Sequence, residues 1–243
     1  MSSRAPATSD LRVPARPRGH TRFGRCLYAA LWVLCRTLGV ALFGVRVRFA
    51  EPLPETGGLI VLSTHQSHLD PLLLGLAADR RLSSLARSSL YRFKPFGAVI
   101  TALDAIPIDR EASAVAAMKV VIRRLQDGAA VIVFPEGTRT ATGRPGEIRS
   151  GFALLAKKAR VPIVPVAIVG AYECWPRTRL LPRTGRIRLE FGRVISADEV
   201  ASLDERTLVA TCSDGLNVLD ARARAARAGR GVTETAAPRT APA

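Results

Sequence analysis

Short apolar runs separated by polar, turn-forming segments recur along most of the chain. The runs at 59–62 and 129–134 are continuously apolar, which is typical of strands buried on both faces. The alternation of apolar and basic residues at 45–49 predicts a strand with one solvated face. Pro165 interrupts a further apolar run and predicts an edge or irregular position in its strand. The remaining strands are predicted at 105–108, 163–169 and 186–191.

Helical spacing separates these strands. Val115, Met118, Ile122 and Leu125 fall on one helical face, and Gly128 follows them as a helix terminator. Other helices are predicted at 71–78, 90–103 and 151–159, with a helix pair over 198–220. Strands that alternate with helices predict one α/β domain, with a mixed, largely parallel sheet flanked by helices.

An apolar segment precedes this domain. Residues 26–45 are long enough to span a bilayer, but Arg36 lies near their centre and makes full insertion nearly neutral in free energy. We therefore expect a membrane-associating helix in one leaflet, with Arg36 reaching lipid phosphates. A spanning helix and a buried helix of the domain are the alternatives. The internal arginine argues against a signal peptide.

Composition excludes some classes of protein. The chain has 243 residues, 48% of them hydrophobic, which excludes a disordered chain. Its net charge of +16 indicates an anionic partner (nucleic acid, anionic lipid or phosphorylated substrate), unless the many arginines only reflect a GC-rich genome. Aromatic residues make up 5%, which is sparse for base stacking, so we expect no nucleic-acid partner. The cysteines lack CxxC spacing, so we expect no metal site.

Charge also divides the chain. Residues 1–25 and 221–243 are basic, rich in Ala and Arg, and lack apolar periodicity. We expect a disordered arm at 1–25 and a disordered tail at 221–243. Residues 46–220 then form the folded domain.

His65 and Asp70 follow the strand at 59–62. Five residues of regular helix would separate them by about 140° around the axis. They can meet if His65 lies in the turn and Asp70 lies in the first helical turn. An aspartate that binds one imidazole nitrogen makes the other a better general base. His68 is a competing base, or simply a residue with a loop hydrogen bond.

Other charged residues follow later strands. Arg110 follows the strand at 105–108, where it could bind phosphate or only pair with Asp109 on the surface. Glu136 and Arg139 follow the strand at 129–134, and Gly137 between them permits a tight turn. Glu136 could accept from a hydroxyl or only cap a helix. The apolar residues 161–166 form either a core strand or a wall for an acyl chain.

The order of these motifs resembles that of the glycerolipid acyltransferases, above all the 1-acyl-sn-glycerol-3-phosphate acyltransferases. The resemblance extends from about residue 46 to about residue 195. It rests on His65-x4-Asp70 and on the segments 106–110, 134–139 and 161–165. It implies a single glycerolipid-acyltransferase-like α/β domain in which His65 is the general base and Asp70 orients it.

The resemblance also implies binding residues. Arg110 and Arg139 would hold the acceptor phosphate, and Glu136 would bind its glycerol part. Gly137 and Thr138 would shape that loop. The implied reaction moves an acyl group from acyl-CoA or acyl-carrier protein to the 2-hydroxyl of 1-acylglycerol 3-phosphate. It uses no metal, no cofactor and no covalent acyl-enzyme.

Three positions depart from the family pattern. Arg87 and Ser88 stand where many members have lysines, and Asp104 stands where a glycine is common. Arg149 instead matches a basic residue after the third motif and would add to the anion site. The departures leave other acceptors open: a lysophospholipid, glycerol 3-phosphate or an amino-acid-based lyso-lipid.

The resemblance further implies an enzyme docked on an anionic membrane surface. We expect peripheral or monotopic attachment at the cytoplasmic face of the cell membrane. The alternative from another class of protein is a non-catalytic, basic lipid-binding protein.

Overall fold

Parallel strands form the centre of the computed structural model, which describes residues 37, 39, 41–87, 104–108 and 114–229. The strands are β1 (Arg46–Phe49), β2 (Leu59–Ser63), β3 (Leu82–Ser83), β4 (Leu85–Arg87), β5 (Ile106–Ile108), β6 (Ala130–Val133), β7 (Ile163–Val169) and β8 (Arg188–Phe191). One six-stranded sheet has the order β1-β8-β7-β2-β6-β3, and β4 and β5 form a separate parallel pair. Within the large sheet only β7 and β8 pair antiparallel. The predicted mixed, largely parallel sheet is confirmed.

Helices cover both faces of this sheet. They are α1 (Asp70–Ala77), α2 (Ala114–Gln126), α3 (Gly151–Ala159), α4 (Ala171–Cys174), α5 (Ala197–Ser202) and α6 (Glu205–Arg227). Successive residues of β2 point to opposite faces, because side chains alternate along a strand. Ile60 and Leu62 pack with α2, α3 and α6, whereas Leu59 and Val61 pack with α1.

Pro165 lies in β7, between β2 and β8, so the prediction of an edge position is wrong. The alternative, an irregular position, is confirmed. Val166 pairs with Phe191 and Ile163 pairs with Ile195, so residues 192–194 face the shorter segment 164–165. The extra residue forms a bulge. Because the ladder is interrupted there, a proline without an N–H is tolerated, and its carbonyl accepts from the Gly192 N–H at 2.8 Å.

The predicted C-terminal helix pair corresponds to α5 and α6. Asp204 caps α6 by accepting the Thr207 N–H at 2.9 Å. However, α6 continues to Arg227, so the predicted domain end at residue 220 and the predicted start of a disordered tail at 221 are wrong. The residues beyond 220 are held by the buried Ala223 and by hydrogen bonds of Arg224 and Arg227, not by an apolar stripe.

Several predictions fall on residues outside the described part. The apolar segment 26–45 is among them, except for residues 37, 39 and 41–45, of which 37, 39 and 41–43 are helical. The predicted helix at 90–103 and Arg110 also lie outside it. Among the residues that the structure describes, no helix combines the length and the apolar character needed to cross a membrane.

Candidate active site

The loops that follow β2 and β6 meet at one edge of the sheet. Ile60 pairs with Val131 in the parallel register of these two strands, so their carboxyl ends lie side by side. His65 follows β2, and residues 134–139 follow β6. The edge where parallel strands end is the usual place for a ligand site. Strand pairing therefore brings together two motifs that are far apart in the sequence.

His65 and Asp70 form a hydrogen-bonded pair. The Nδ1 atom of His65 lies 2.8 Å from the Oδ2 atom of Asp70. Asp70 is the first residue of α1, and His65 lies in the preceding turn, as the spacing requires. The same Oδ2 atom accepts the backbone N–H groups of Gln66 and Ser67, at 2.5 and 2.8 Å. Three donors therefore converge on one carboxylate oxygen.

Asp70 is fully buried, and this burial raises the pKa of its carboxyl group above the ordinary value. The hydrogen bond from His65 and those from the backbone act in the opposite direction. Its second oxygen, Oδ1, has no hydrogen-bond partner among the described residues. A buried carboxylate with a single paired oxygen is costly for the fold, and such costs are common where a residue serves chemistry.

The His65 ring is held on a second side by Phe134. The two rings stack with centroids 3.9 Å apart and planes 14° apart. The backbone is held as well, because the His65 N–H donates to Glu136 Oε1 at 3.0 Å and its carbonyl accepts the Thr140 N–H at 2.8 Å. The side chain remains 19% exposed. Its Nε2 atom lies on the side of the ring opposite the nitrogen that meets Asp70.

Glu136 joins two loops. One carboxylate oxygen accepts the His65 N–H, and the other accepts the Gly146 N–H at 3.1 Å. Burial raises the pKa of Glu136, and these backbone donors oppose the rise. The structure thus shows that this carboxylate positions two loops. That it also binds the glycerol part of an acceptor stays a prediction.

The turn after Glu136 carries three further predicted site residues. Gly137 has φ +72°, a backbone conformation that favours glycine. A Cβ atom there would lie 3.5 Å from the Arg149 guanidinium carbon, so Arg149 lies over this turn. Thr138 is exposed on the same turn. Arg149 is thereby brought to the loop that also carries Arg139.

Arg139 lies against His68. Its Nη1 atom is 2.7 Å from the His68 Nδ1 atom, and the His68 ring centroid lies 5.2 Å from that of Trp175. Partial burial, followed by the positive charges of Arg139 and His65, lowers the pKa of His68. The histidine that pairs with Asp70 is His65, so His68 lacks the orienting carboxylate that its neighbour has.

Asp104 has φ +55°, a left-handed conformation that glycine adopts most easily. Aspartate is one of the few other residues that tolerate it. The Ser83 hydroxyl also binds the Asp104 carboxylate. Asp104 therefore occupies, in the turn before β5, a backbone conformation that glycine adopts readily.

Comparison with known proteins identifies the family. A family model described as Acyltransferase matches residues 44–169, which include both loops of the site. The chain belongs to the acyltransferase family. A 1-acyl-sn-glycerol-3-phosphate acyltransferase of Pseudomonas aeruginosa is 31% identical to it over 185 residues, which cover 73% of this chain and 70% of the relative. An enzyme with the same name from Bacillus subtilis is 28% identical over 175 residues, which cover 72% of this chain and 85% of the relative.

The fold of this acyltransferase is also found in a solved structure. It matches the crystal structure of PlsC, a 1-acyl-sn-glycerophosphate acyltransferase from Thermotoga maritima, with a TM-score of 0.69. The match covers 86% of this chain and 85% of that chain at 23% sequence identity. The acyltransferase fold is therefore shared by two chains of low sequence similarity.

Sequence reasoning missed several residues that build the site of this acyltransferase. Phe134 belongs to the motif at 134–139, but nothing in the sequence indicates that its ring stacks on His65. Gln66 donates its amide to the Gly143 carbonyl at 3.1 Å, and Arg224 of α6 binds the same carbonyl. Asp220 holds the Arg224 guanidinium with Nε–Oδ2 at 2.7 Å. Since Arg224 lies in a segment without apolar periodicity, only the tertiary structure could reveal its contact.

Proposed function

We propose that this acyltransferase transfers an acyl group from acyl-CoA or acyl-carrier protein to the 2-hydroxyl of 1-acylglycerol 3-phosphate, forming phosphatidate for phospholipid biosynthesis. The observation that carries the reaction type is the 2.8 Å pair of His65 Nδ1 and Asp70 Oδ2 at the end of β2. The names of the Pseudomonas and Bacillus relatives support the acceptor. The predicted place of action is the cytoplasmic face of the membrane.

His65 is the proposed general base. Its Nε2 atom takes the proton of the acceptor 2-hydroxyl while the hydroxyl oxygen attacks the thioester carbonyl carbon. The tetrahedral intermediate then collapses, the carbon–sulfur bond breaks, and the thiolate that leaves receives a proton from the imidazolium. Asp70 holds the ring in the correct tautomer and stabilises its positive charge during the transfer. Phe134 keeps the ring plane fixed.

Arginine side chains are the proposed phosphate ligands. Arg139 belongs to the turn after β6 that contains Gly137, and the Arg149 guanidinium lies over that turn. A guanidinium binds phosphate through paired N–H donors, which also fixes its orientation. We include Arg110 in this set on sequence grounds. A phosphate held here would direct the acceptor hydroxyl to the His65 side of the loop.

Turnover by the purified full chain tests this function. The protein receives oleoyl-CoA and 1-acylglycerol 3-phosphate in lipid–detergent micelles, and both thiol release and phosphatidate are measured. We expect both products from the wild type and a loss of about 10²–10⁴-fold in His65→Ala. His68→Ala is the matched control and should lower kcat far less, because His68 lacks the bond to Asp70.

Two outcomes would contradict the proposal in different ways. Turnover by His65→Ala within tenfold of the wild type would remove His65 as the base. Thiol release with a lysophospholipid or glycerol 3-phosphate, but not with 1-acylglycerol 3-phosphate, would leave the chemistry intact and change the acceptor.

A further inference from the structure

Two leucines project into solvent from the loop that joins α4 to β8. Leu180 is 88% exposed and Leu181 is 70% exposed, the highest values among the large apolar side chains in the described part of the chain. Isolated exposed apolar residues are common on proteins, but an adjacent and almost fully exposed pair indicates contact with something apolar. The loop, residues 176–187, is here called the leucine loop.

Hydrogen bonds hold the base of the leucine loop in place. The Trp175 indole donates to the Arg179 carbonyl at 3.1 Å. On the returning limb, the Arg183 N–H donates to the Cys174 carbonyl at 2.9 Å, and its guanidinium donates to the Glu173 carbonyl at 2.6 Å. The leucines are thus presented by a fixed base.

The charge of the leucine loop is entirely positive. It carries arginines on both sides of the leucine pair and no acidic residue: Arg177, Arg179, Arg183 and Arg186. Apolar side chains flanked by arginines are typical of segments that bind the interface of an anionic membrane. In such segments the apolar groups enter the acyl region, while the guanidinium groups remain at the level of the phosphates.

The base of the loop contacts the end of the apolar N-terminal segment. The Gly185 and Ile187 N–H groups donate to the Leu42 and Phe43 carbonyls, at 3.3 and 2.9 Å. Leu42 is itself 45% exposed. The exposed pair is therefore hydrogen-bonded, through its own loop, to the end of the sequence stretch that is predicted to associate with membranes.

The other end of the loop adjoins the candidate active site. The Trp175 carbonyl accepts the Ser67 hydroxyl at 2.7 Å, and the Trp175 ring packs beside His68. Ser67 in turn donates its backbone N–H to Asp70. The leucine loop is thus linked to Asp70 through Trp175 and Ser67, so lipid bound at Leu180 would lie near the His65–Asp70 pair.

We propose that the leucine loop docks on an anionic phospholipid bilayer, with Leu180 and Leu181 in the interface and the flanking arginines on headgroup phosphates. This surface would present a membrane-embedded acceptor to the active site without exposure of its acyl chain to water. The reason for the docking rests on the proposed function, but the contact itself does not. An acidic carrier protein would also suit the arginines, but the apolar pair and its link to residues 42–43 favour lipid.

A reporter at the loop tip separates this contact from any binding by the N-terminal segment. In the full chain, Leu181→Cys is labelled with an environment-sensitive fluorophore, with Cys26 and Cys35 replaced by serine. Cys174 and Cys212 are buried and can remain. Vesicles of phosphatidylcholine and phosphatidylglycerol carry nitroxide groups on their acyl chains. The matched control is a label at Val218→Cys, a 58% exposed position on α6.

We expect the emission of the label at position 181 to shift to the blue and to be quenched several-fold, whereas the label at 218 should change little. Co-sedimentation first establishes that the labelled protein is on the vesicles. Vesicle-bound protein with an unquenched label at 181 would overturn the proposal. A spectral change at 181 with acyl-carrier protein alone, and none with vesicles, would assign the loop to a protein partner and also overturn it.

An activity measurement adds a second readout. Leu180→Ser/Leu181→Ser should raise the KM for acceptor embedded in vesicles at least several-fold, and leave turnover of detergent-dispersed acceptor within about twofold. An equal loss in both assays would contradict a docking role. If no acceptor is turned over by the wild type, the proposed function fails while the quenching result still decides the docking surface.

Discussion

The backbone N–H of His65 donates to the Glu136 carboxylate at 3.0 Å, which ties the loop after β2 to the loop after β6. The second oxygen of the same carboxylate accepts the Gly146 N–H at 3.1 Å. One buried acidic side chain thus fixes the backbone of the proposed base and the loop that carries the proposed phosphate ligands. This side chain therefore acts together with strand pairing and the Thr140 N–H bond to the His65 carbonyl to hold the two motifs in place.

Glu136→Gln tests this positioning role. The amide retains one acceptor oxygen but turns its NH₂ group toward either His65 or Gly146, so one backbone donor loses its partner. We expect kcat to fall about tenfold or more through misplacement of His65, and the free energy of unfolding to fall by about 1 kcal/mol. Glu147→Gln, an exposed change in the same loop, is the control for steady-state kinetics and urea unfolding. Equal kinetics in both variants would contradict the role.

Asp70→Asn should separate activity from stability. The amide oxygen can still accept the N–H groups of Gln66 and Ser67, but the side chain no longer stabilises an imidazolium. We expect kcat/KM to fall about 10²–10⁴-fold. Asp79→Asn, an exposed change just beyond the same helix, is the control. Turnover by Asp70→Asn within tenfold of the wild type would rule out the orienting role.

The pH dependence of stability follows from the same carboxyl group. Burial raises the pKa of Asp70 in the folded protein above its ordinary 3.8, so the folded state holds a proton that the unfolded state releases. The contribution of Asp70 to stability therefore decreases as pH rises from about 3.8 through the raised pKa. We expect Asp70→Asn to gain stability relative to the wild type across that window. Urea unfolding at a series of pH values measures the difference, and a difference that shrinks with rising pH would refute it.

Phe134→Leu tests the ring contact of His65. Leucine fills part of the space but cannot stack on an imidazole at 3.9 Å. We expect kcat to fall about tenfold, with little change in either KM, because the ring loses its fixed plane. Phe134→Tyr keeps the aromatic plane and should restore most of kcat. A loss that appears only in KM, or no recovery with tyrosine, would exclude a role in orienting His65.

Arg139→Ala should weaken acceptor binding selectively. Loss of a charged phosphate contact of about 1.5–3 kcal/mol predicts a 10–150-fold rise in acceptor KM, with donor KM unchanged. The pKa of His68 should also rise, because the positive charge of Arg139 lowers it in the wild type. Steady-state kinetics and NMR titration of His68 measure the two effects. A rise confined to donor KM would assign Arg139 to the other substrate.

Two truncations test the corrected domain boundary. Removal of 221–243 deletes the end of α6, including the Arg224 bond to Gly143 and the Arg227 pair with Glu173. We expect Tm to fall by roughly 5–10 °C and activity to fall with it, because Gly143 also binds Gln66 beside the site. Removal of 230–243 should leave both unchanged. Equal Tm values for the two truncations would place the boundary at residue 220 after all.

Local pattern was enough to predict much of this fold. The apolar runs of β2, β6 and β7 are buried along their whole length, as continuous apolar strands must be. The spacing of His65 and Asp70 predicted that they can meet if a turn is followed by a helix start, and the structure has this arrangement. The alternation of strands and helices predicted the layers. Such features depend on residues close together in sequence, so the sequence carries them directly.

The sequence predicted an edge or an irregular position for Pro165, of which only the irregular one is confirmed, and it placed the domain end at 220 wrongly. The two errors have related reasons. A proline reports a missing N–H, but not whether a bulge in a neighbouring strand compensates for it. The end of α6 lacks an apolar stripe because long-range arginine contacts hold it. The bulge lies on a different strand from Pro165, and the partners of the arginines lie far from α6 in the sequence. Local sequence patterns therefore could not predict either feature.

The sequence by itself determined which segments are buried, where the reactive groups stand along the chain, and which family their order resembles. The tertiary structure alone decided that Phe134 stacks on His65, that Glu136 faces two backbone donors, and that Leu180 and Leu181 are left in solvent on a loop whose base is hydrogen-bonded to Leu42. Burial follows from local hydrophobic periodicity, which the sequence records. Contacts between distant residues follow from strand order and register, which no local pattern specifies.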